Sequence, residues 1–438
     1  MPLPVKKLKS IQLAAIIFLT VSGGPYGLEP LLTYAGSTAS ILLLVITPLL
    51  WDIPAVLTVL ELNSMMPITG GYYQWVKRGL GLRWAFFEGW WTWLYTFVDL
   101  AIYPVLFVEY AAFFVPQVEA YKIPVCLVII WSSAILNIRG IVPVGKTALI
   151  LAALVLIPFI VLFVAALYKY AGHFSIPAQT LQGHSFSSIG LALYTIMWNF
   201  IGWDNTTTYA EEVEKPGKSY FISIIIAFFI VLAIYLIAVL IAIQSGINSE
   251  TLNQNGFPAL GTLVGGHWLG ALVAMGGMAS ALGLYSSVLL SVSRVPQVMA
   301  ADQLLPQKLQ TLHPKFNSPY ISILTCSLVV SFMILWTFAD LLIIDVTVYG
   351  AALSLEYIAL IKLRIDAPAE HRPFKIPVNV IGLCIMMLLP FCIYVIAITA
   401  AFTSDGSSIT PVLFAIGTLL TAEIFWRIIS ARKNRAHR

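Results

Sequence analysis

The sequence predicts an all-α membrane protein of 12 transmembrane helices: two five-helix repeats of inverted topology, with helices 1 and 6 broken, plus two C-terminal helices. Three observations predict it. The 438-residue chain is 59% hydrophobic and only 10% charged, with mean hydropathy +0.90, whereas a soluble domain is about a quarter charged. Apolar runs near the roughly 20 residues needed to cross a bilayer recur along the whole chain. The first and sixth of these runs are interrupted by polar stretches that carry glycine.

The N-terminal MPLPVKKLKS is short and basic and reads as a cytosolic tail over residues 1–10. The apolar run after it has no small-residue cleavage site, so it does not suit a signal peptide. The expected spans are 11–35, 38–61, 84–115, 122–138, 146–168, 187–210, 219–244, 267–292, 320–339, 341–362, 378–402 and 408–428. With the N-terminus in the cytosol, Lys6, Lys7, Lys9, Lys77, Arg78, Arg83, Arg139, Lys146, Lys215, Lys218, Arg294, Lys308, Lys315, Lys362, Arg364, Arg372 and Lys375 all fall inside. The cluster from Arg427 to Arg438 joins them, and only Lys122 and Lys169 fall outside, as the positive-inside rule requires. The expected organisation is a first repeat over 11–168, a second over 187–362, helices 11 and 12 over 378–428, and a basic cytosolic tail over 429–438 of a multi-pass cell-membrane protein. The net charge of +4 thus belongs to one membrane face and implies no nucleic-acid partner.

Several classes fall away. Cys126, Cys326, Cys384 and Cys392 lie within apolar runs at no metal or disulfide spacing. The chain has no membrane-depth His/Asp metal cluster, no G-x-S-x-G and no nucleotide motif, so neither an enzyme nor a resident metal or cofactor is expected. A channel would need a continuous polar stripe, whereas two breaks imply an occluded site at the midplane.

The first break is VSGGPYGLEP, residues 21–30. The second lies within MWNFIGWDNTTTYAEEVEKP, residues 197–216, where Asn199 to Asn205 are polar and include Gly202 and Asp204. SSIGLALYTIM and TTTYAEE on either side read as half-helices. Five spans separate the breaks, the signature of an inverted repeat whose first helices are broken near the midplane. Unwound backbone at that depth survives only where it lines a cavity or is buried in protein. Its freed N–H and C=O groups, with the half-helix ends, then become ligands for a polar substrate or ion. The plainer alternative is that Gly24, Pro25 and Gly27 merely kink a helix for close packing. Candidate binding residues are Ser22, Gly23, Gly24, Tyr26, Gly27 and Glu29 on the first break. On the second they are Trp198, Asn199, Gly202, Trp203 and Asp204.

These residues resemble the amino acid–polyamine–organocation transporter superfamily. SGGPYG resembles its glycine-rich break, GWDNTTTYAEEVEKP its helix 6 signature with an acidic pair before proline, ELNSMMPITGGYYQWV its helix 2–3 loop, and SRVPQVMAADQLLP its helix 8–9 loop. A narrower likeness is to the branch of plant and protozoan polyamine uptake transporters, carried also by EGWWTWLYTFVDLAIYPVLFVEYAAF and RPFKIPV. The chain departs from that branch at Tyr26, where Phe is typical, at Glu29-Pro30 in place of Glu-Asp, and at Ile201-Gly202 in place of Asn-Tyr. The resemblance implies the LeuT-like fold and a secondary transporter working by alternating access. It implies import of a small organic cation, putrescine or spermidine, with H+ as coupling ion. The alternative is an amino acid carrier in which helix 1 N–H groups hold a carboxylate and helix 6 carbonyls hold an α-ammonium. The expected partners are the small-molecule substrate and the lipid bilayer; oligomeric state stays open.

Acidic groups within spans are costly and usually functional. Here they are Glu29, Asp52, Glu61, Glu88, Asp99, Glu109, Asp204, Asp345 and Glu356, with no Lys or Arg expected deep enough to pair with them. Glu29 either contacts substrate or bonds free N–H groups of its break. Asp204 either contacts substrate or caps the following half-helix, as Asp often does. Asp99 and Glu88 are eleven residues apart, on one helix face and roughly 16 Å apart along the axis. Asp345 and Glu356 repeat the spacing. Helix 3 lines the substrate path in the resembling family, which puts Asp99 near the centre, Glu109 in an outer vestibule and Glu88 on the cytosolic side. Asp345 reads as near the outer end and solvated, Glu61 as structural, and Asp52 has no assigned place.

Tyr26, Trp198 and Trp203 flank the breaks, and Tyr95, Tyr103 and Tyr349 lie on candidate lining helices. An ammonium over such a ring gains roughly 0.5–2 kcal/mol. Trp84, Trp90, Trp91 and Trp93 read as packing. Candidate gates are Trp203, Glu109 and Glu212. For coupling, an unpaired carboxylate in a low dielectric can carry a proton, and Glu29, Asp99 and Asp204 are the candidates. Sodium held by Ser286, Ser287 and helix 1 carbonyls is the alternative. Lys146 reads as a positive-inside residue and His267 as solvated.

Overall fold

The computed structural model describes residues 7–171, 185–334, 338–402 and 410–436, with the side chains of 338–342, 401–402 and 433–436 left aside. Lys6 and the rest of residues 1–6 of the expected tail, 335–337 of the ninth expected span, 408–409 of the twelfth, and 437–438 lie outside the described residues.

Among the described residues the ordered elements are helices; one isolated bridge joins Leu8 to Val213. They are α1 (Ser10–Val21), α2 (Leu31–Thr47), α3 (Ile53–Met65), α4 (Gly71–Leu80), α5 (Leu82–Ala112), α6 (Lys122–Ile138), α7 (Ile141–Lys169) and α8 (Phe186–Trp198). There follow α9 (Pro216–Ser245), α10 (Ser249–Gly265), α11 (His267–Val292), α12 (Arg294–Ala301), α13 (Tyr320–Met333), α14 (Phe338–Asp366), α15 (Val380–Phe402) and α16 (Thr410–Ala436). Among the described residues nine helices are long and apolar enough to cross a membrane, taking Leu31–Met65 as one, and α1, α8 and α13 are shorter apolar helices.

Both expected interruptions are present. Between α1 and α2 lies the non-helical Ser22–Pro30 stretch, and Gly36 (φ 66°) turns the corner inside α2. The expected spans 1 and 2 therefore meet at Gly36. A π-helical turn, Pro48–Asp52, then joins α2 to α3; Pro48 and Pro54 each lack a backbone donor there. After α8 the chain unwinds and re-forms as a 3-10 helix, Asn205–Glu212.

The sequence reading did not anticipate α10. Its first half, SETLNQNG, is too polar for a span, yet Asn248 caps it by accepting from Glu250 N at 2.8 Å, and Gly256 (φ 65°) bends it. At the centre, α5 packs on α11 and α14. The most apolar windows of these three helices are 78%, 78% and 83% buried, against 22% and 17% for α15 and α16. The last two helices thus lie at the periphery, exposing Ile381, Ile385, Leu413 and Leu420 as a lipid-facing surface should. The tryptophans of α5 hold α16 in place: Trp90 Nε1 donates to Thr421 and Trp91 Nε1 to the Leu419 carbonyl.

Candidate functional site

The first break is held by its own side chains. Gly23 (φ 60°) and Gly24 (φ 98°) carry the chain out of α1, and Gly24 N donates to Ser22 Oγ at 3.0 Å. Gly27 (φ 97°) lies so close to the next element that a Cβ there would stand 2.5 Å from Trp198 Cζ3. Glu29, 6% exposed, takes up the backbone donor of the break: Gly27 N donates to Oε2 at 2.5 Å, while Tyr110 Oη donates to Oε1 at 2.8 Å. Tyr26 turns away from the break, donating to the Val273 carbonyl at 2.6 Å among Tyr110, Phe159 and Phe257. Of the two readings of Glu29, the bond to free N–H groups is present.

Beyond Trp198 lies a first rung of carboxylates. Asp99 accepts from Tyr103 Oη at 2.5 Å and from Trp198 Nε1 at 3.3 Å. Asp345 shares this space: its polar neighbours include Asp99 and the Trp198 indole, and neither of its carboxylate oxygens makes a good hydrogen bond. Asp345 is fully buried, which corrects the expectation that it is solvated. The reason is that α5 and α14 pack so closely that this turn of α14 faces α5 rather than water.

The second break builds a second rung. Gly202 (φ 94°) donates its N–H to Tyr349 Oη at 3.3 Å, and Tyr349 Oη donates to Asp204 Oδ1 at 3.0 Å. Asp204 stands at the N-cap of the 3-10 helix that follows, and its carboxylate accepts from Tyr349. The Glu356, Asp204 and Glu88 carboxyls are electrostatic neighbours in this space. Glu88 is fully buried in this cluster and accepts from Thr92 at 3.2 Å. Tyr95 Oη donates to Asn205 Oδ1 at 3.3 Å. Asn199 caps its own turn through Thr195, and its carbonyl accepts from Tyr235.

Trp203 points the other way. Its indole donates to Asp52 Oδ1 at 3.3 Å and its ring packs 5.8 Å from Phe228. This also gives Asp52 a place, fully buried at the π-turn. Among the described residues no Lys, Arg or His forms an ion pair with Glu29, Asp52, Glu88, Asp99, Asp204, Asp345 or Glu356. Glu61 is different. Arg364 grips both its oxygens, Arg372 approaches to 3.3 Å and Ile376 N donates at 2.8 Å. So one buried carboxylate does have cationic partners, against the expectation of none, and the RPFKIPV stretch supplies part of its cage.

A cavity of about 570 Å³ opens at the α10 end of the molecule. Glu29, Glu109, Tyr110, Glu119, Asn253 and Gln254 are among its lining residues. The opposite end is tied shut. Leu8 N donates to the Glu212 carbonyl and Glu214 N to the Leu8 carbonyl, both at 2.9 Å. Glu212 pairs with Arg294 at 2.6 Å, and the Arg294 guanidinium lies 5.2 Å from the Tyr209 ring. A Cβ on Gly71 would meet Thr207 Oγ1 at 2.1 Å, so the P-x-x-G-G turn packs directly on the 3-10 helix. Ser286 is engaged with Asn137 Nδ2, Lys146 is exposed, and exposed His267 stacks on Phe113.

The elements thus bring Glu29, Trp198 and Asp99 into one chain of contacts, and Gly202, Asp204 and Tyr349 into another. Tyr26 and Trp203 face away from both. Sequence reasoning placed Tyr103 on a lining helix without its bond to Asp99, and did not single out Tyr110, Tyr72 or Arg294 as partners. The eleven-residue spacings on α5 and α14 were the available signal for Asp345 and Glu356.

A family model described as "Amino acid permease" matches residues 8–422. A probable polyamine transporter of Arabidopsis thaliana is 32% identical over 427 residues, covering 96% of this chain and 87% of its own. The polyamine transporter RMV1 of the same plant is 30% identical over 404 residues, covering 91% and 81%. The serine/threonine exchanger SteT of Bacillus subtilis is 24% identical over 416 residues, covering 90% and 89%. The chain belongs to the amino acid permease family.

Proposed function

We propose that this amino acid permease imports a polyamine, putrescine or spermidine, by proton symport and alternating access. The observation that carries this reading is the set of buried carboxylates with no cationic partner among the described residues, each accompanied by Tyr or Trp. An unpaired carboxylate in a low dielectric costs several kcal/mol until a cation or a proton joins it. A substrate of ammonium groups on a methylene chain supplies the cations, and the aromatic faces add cation–π attraction. Two relatives bearing the name polyamine transporter, at 30% identity or better, support the same substrate class.

The route in this reading begins in the 570 Å³ cavity, where Glu109 and Glu119 attract the cation. It continues past Glu29 to the rung of Asp99 and Asp345. Twelve spans, both termini in the cytosol and five-helix halves over 11–168 and 187–362 belong to the proposal. In its favour, each half places one short helix after its second span, α4 in one and α10 in the other. The Glu212–Arg294 pair is then a gate on the cytosolic side, and Trp203 holds the broken helix against Asp52 rather than contacting substrate.

The amino acid alternative has one observation to meet. The Gly27 N–H that would receive a substrate carboxylate is already bonded to Glu29. The chain supplies that carboxylate itself. The test is uptake of labelled putrescine, spermidine and an amino acid panel into proteoliposomes, with and without an inward proton gradient. Gradient-driven polyamine uptake that collapses in Asp99→Asn is the expected result. Amino acid uptake that survives both Glu29→Gln and Asp99→Asn would replace this reading with the alternative.

A further inference from the structure

The two rungs are stacked by a register between helices. Glu88 meets Glu356, and Asp99 meets Asp345. α5 and α14 therefore run antiparallel, and eleven residues on each separate the rungs by roughly 16 Å. The rungs differ in what surrounds the acids. At Asp99, Trp198 and Tyr103 both donate to the carboxylate. The other rung gathers three acids where the first has two. Asp204, Glu356 and Glu88 are electrostatic neighbours, and neither oxygen of Glu356 has a hydrogen-bond partner.

A second observation marks this rung as unfinished. The hydroxyl of the fully buried Tyr72, in the first turn of α4, has Asp204, Glu88 and Glu356 as charged neighbours and has no hydrogen-bond partner. The titratable groups around Glu356 are Glu88 and Tyr95 of α5, Tyr72 of α4, Asp204 of the break, and Tyr349 and Tyr357 of its own helix, with Asp52 beyond Tyr357. None of these is a base that carries positive charge. Among the described residues no group of three or more His, Cys, Asp or Glu is arranged to hold a metal ion. Buried carboxyls that interact with one another and with no cationic side chain disfavour joint ionisation, which favours a proton on one of them.

We propose that the Glu88–Asp204–Glu356 cluster is the proton site of the cycle, separate from the ammonium-binding rung at Asp99 and Asp345. This rests on the polyamine reading above for what the proton accompanies. A proton from water on the cavity side forms an O–H bond on Asp204 or Glu356. That bond breaks when the site faces the cytosol, and the proton passes to cytosolic water. The cluster senses the break directly, because Tyr349 donates to Asp204 and accepts from Gly202. When the second break rearranges, the bond that steadies the Asp204 charge is lost or made.

The experiment uses full-length protein in proteoliposomes. Putrescine-evoked proton entry is read with a lumenal pH dye, and putrescine counterflow, which moves no net proton, is read with label. In Glu356→Gln the amide imitates a permanently protonated carboxyl. Evoked proton entry falls at least about tenfold while counterflow continues within about tenfold of wild type. Asp99→Asn loses both. Unchanged evoked proton entry in both Glu356→Gln and Glu88→Gln overturns the proposal. So does loss of both readouts in both variants, which would make this rung an ammonium site. A third readout needs no substrate: wild-type protein at neutral pH shows an infrared band of a buried protonated carboxyl, and Glu356→Gln or Asp204→Asn removes it. Absence of that band also overturns the proposal. Absence of putrescine counterflow in wild type, with the band present, overturns the polyamine reading alone.

Discussion

Glu61 and Glu356 are both fully buried carboxylates at α14, and their company is opposite. Glu61 is gripped by Arg364 of α14 and approached by Arg372, and Ile376 N completes its bonding. Glu356, about two turns back along the same helix, meets only other acids and tyrosines. The first arrangement fixes a loop onto a helix and leaves nothing for a ligand to do. The second leaves charge uncompensated, which a protein tolerates only where something arrives to compensate it. Burial is the same in both places; the partner separates structure from function.

The sharpest way to break this comparison is stability. Glu61→Gln leaves two buried arginines without their anion and is expected to cost about 3–5 kcal/mol. Glu356→Gln removes an unpaired carboxyl and is expected to leave stability within about 1 kcal/mol of wild type, or raise it. Thermal unfolding in detergent measures both. Equal losses would mean that Glu356 has a structural partner after all.

A smaller effect sharpens the contrast at the first break. Gly27→Ala places a methyl 2.5 Å from the Trp198 ring, at a φ of 97° that alanine rarely adopts. A cost of about 2–3 kcal/mol is expected, together with weaker putrescine binding, because Trp198 is the donor to Asp99. An unshifted unfolding temperature would remove the close packing of the two breaks from the account.

Smaller again is the removal of one donor from Asp99. Tyr103→Phe is expected to weaken transport by about 1–2 kcal/mol, roughly five- to thirtyfold in apparent affinity. Concentration dependence of uptake reads it. An effect on maximal rate alone would place Tyr103 in the conformational step instead.

The smallest expected effect is at the closed end. Arg294→Lys keeps the charge but loses the guanidinium's contact with the Tyr209 ring and the directed bond to Glu212, worth about 0.5–1 kcal/mol. The closed state weakens slightly. Accessibility of a cysteine introduced at Leu8 to a water-soluble thiol reagent should rise; no change would argue against a gate there.

Much of this frame was legible in the sequence. Glycine and proline clusters at 22–30, and the polar run around Gly202, interrupt otherwise apolar runs, and backbone conformation follows such residues directly. The eleven-residue spacings on α5 and α14 were legible too. What the sequence did not carry was pairing. That Asp345 neighbours Asp99, that Glu356 neighbours Asp204, and that Arg364 reaches Glu61 depends on which helices are neighbours and in what register. Helix α10 escaped for a different reason: its polar first turn resembles a loop until its Asn248 cap and its packing on α11 are seen.

The central claim is that this chain keeps its own carboxylate where an amino acid's carboxylate would bind, and so selects ammonium groups alone. Competition against labelled putrescine uptake by ornithine, which is putrescine bearing one α-carboxylate, tests it most directly. Unlabelled putrescine is expected to compete at least about tenfold better than ornithine, since the extra carboxylate meets Glu29 and Asp99 without a cation to receive it. Ornithine competing as well as putrescine, or better, would mean that the first break receives a substrate carboxylate, and the claim would fall.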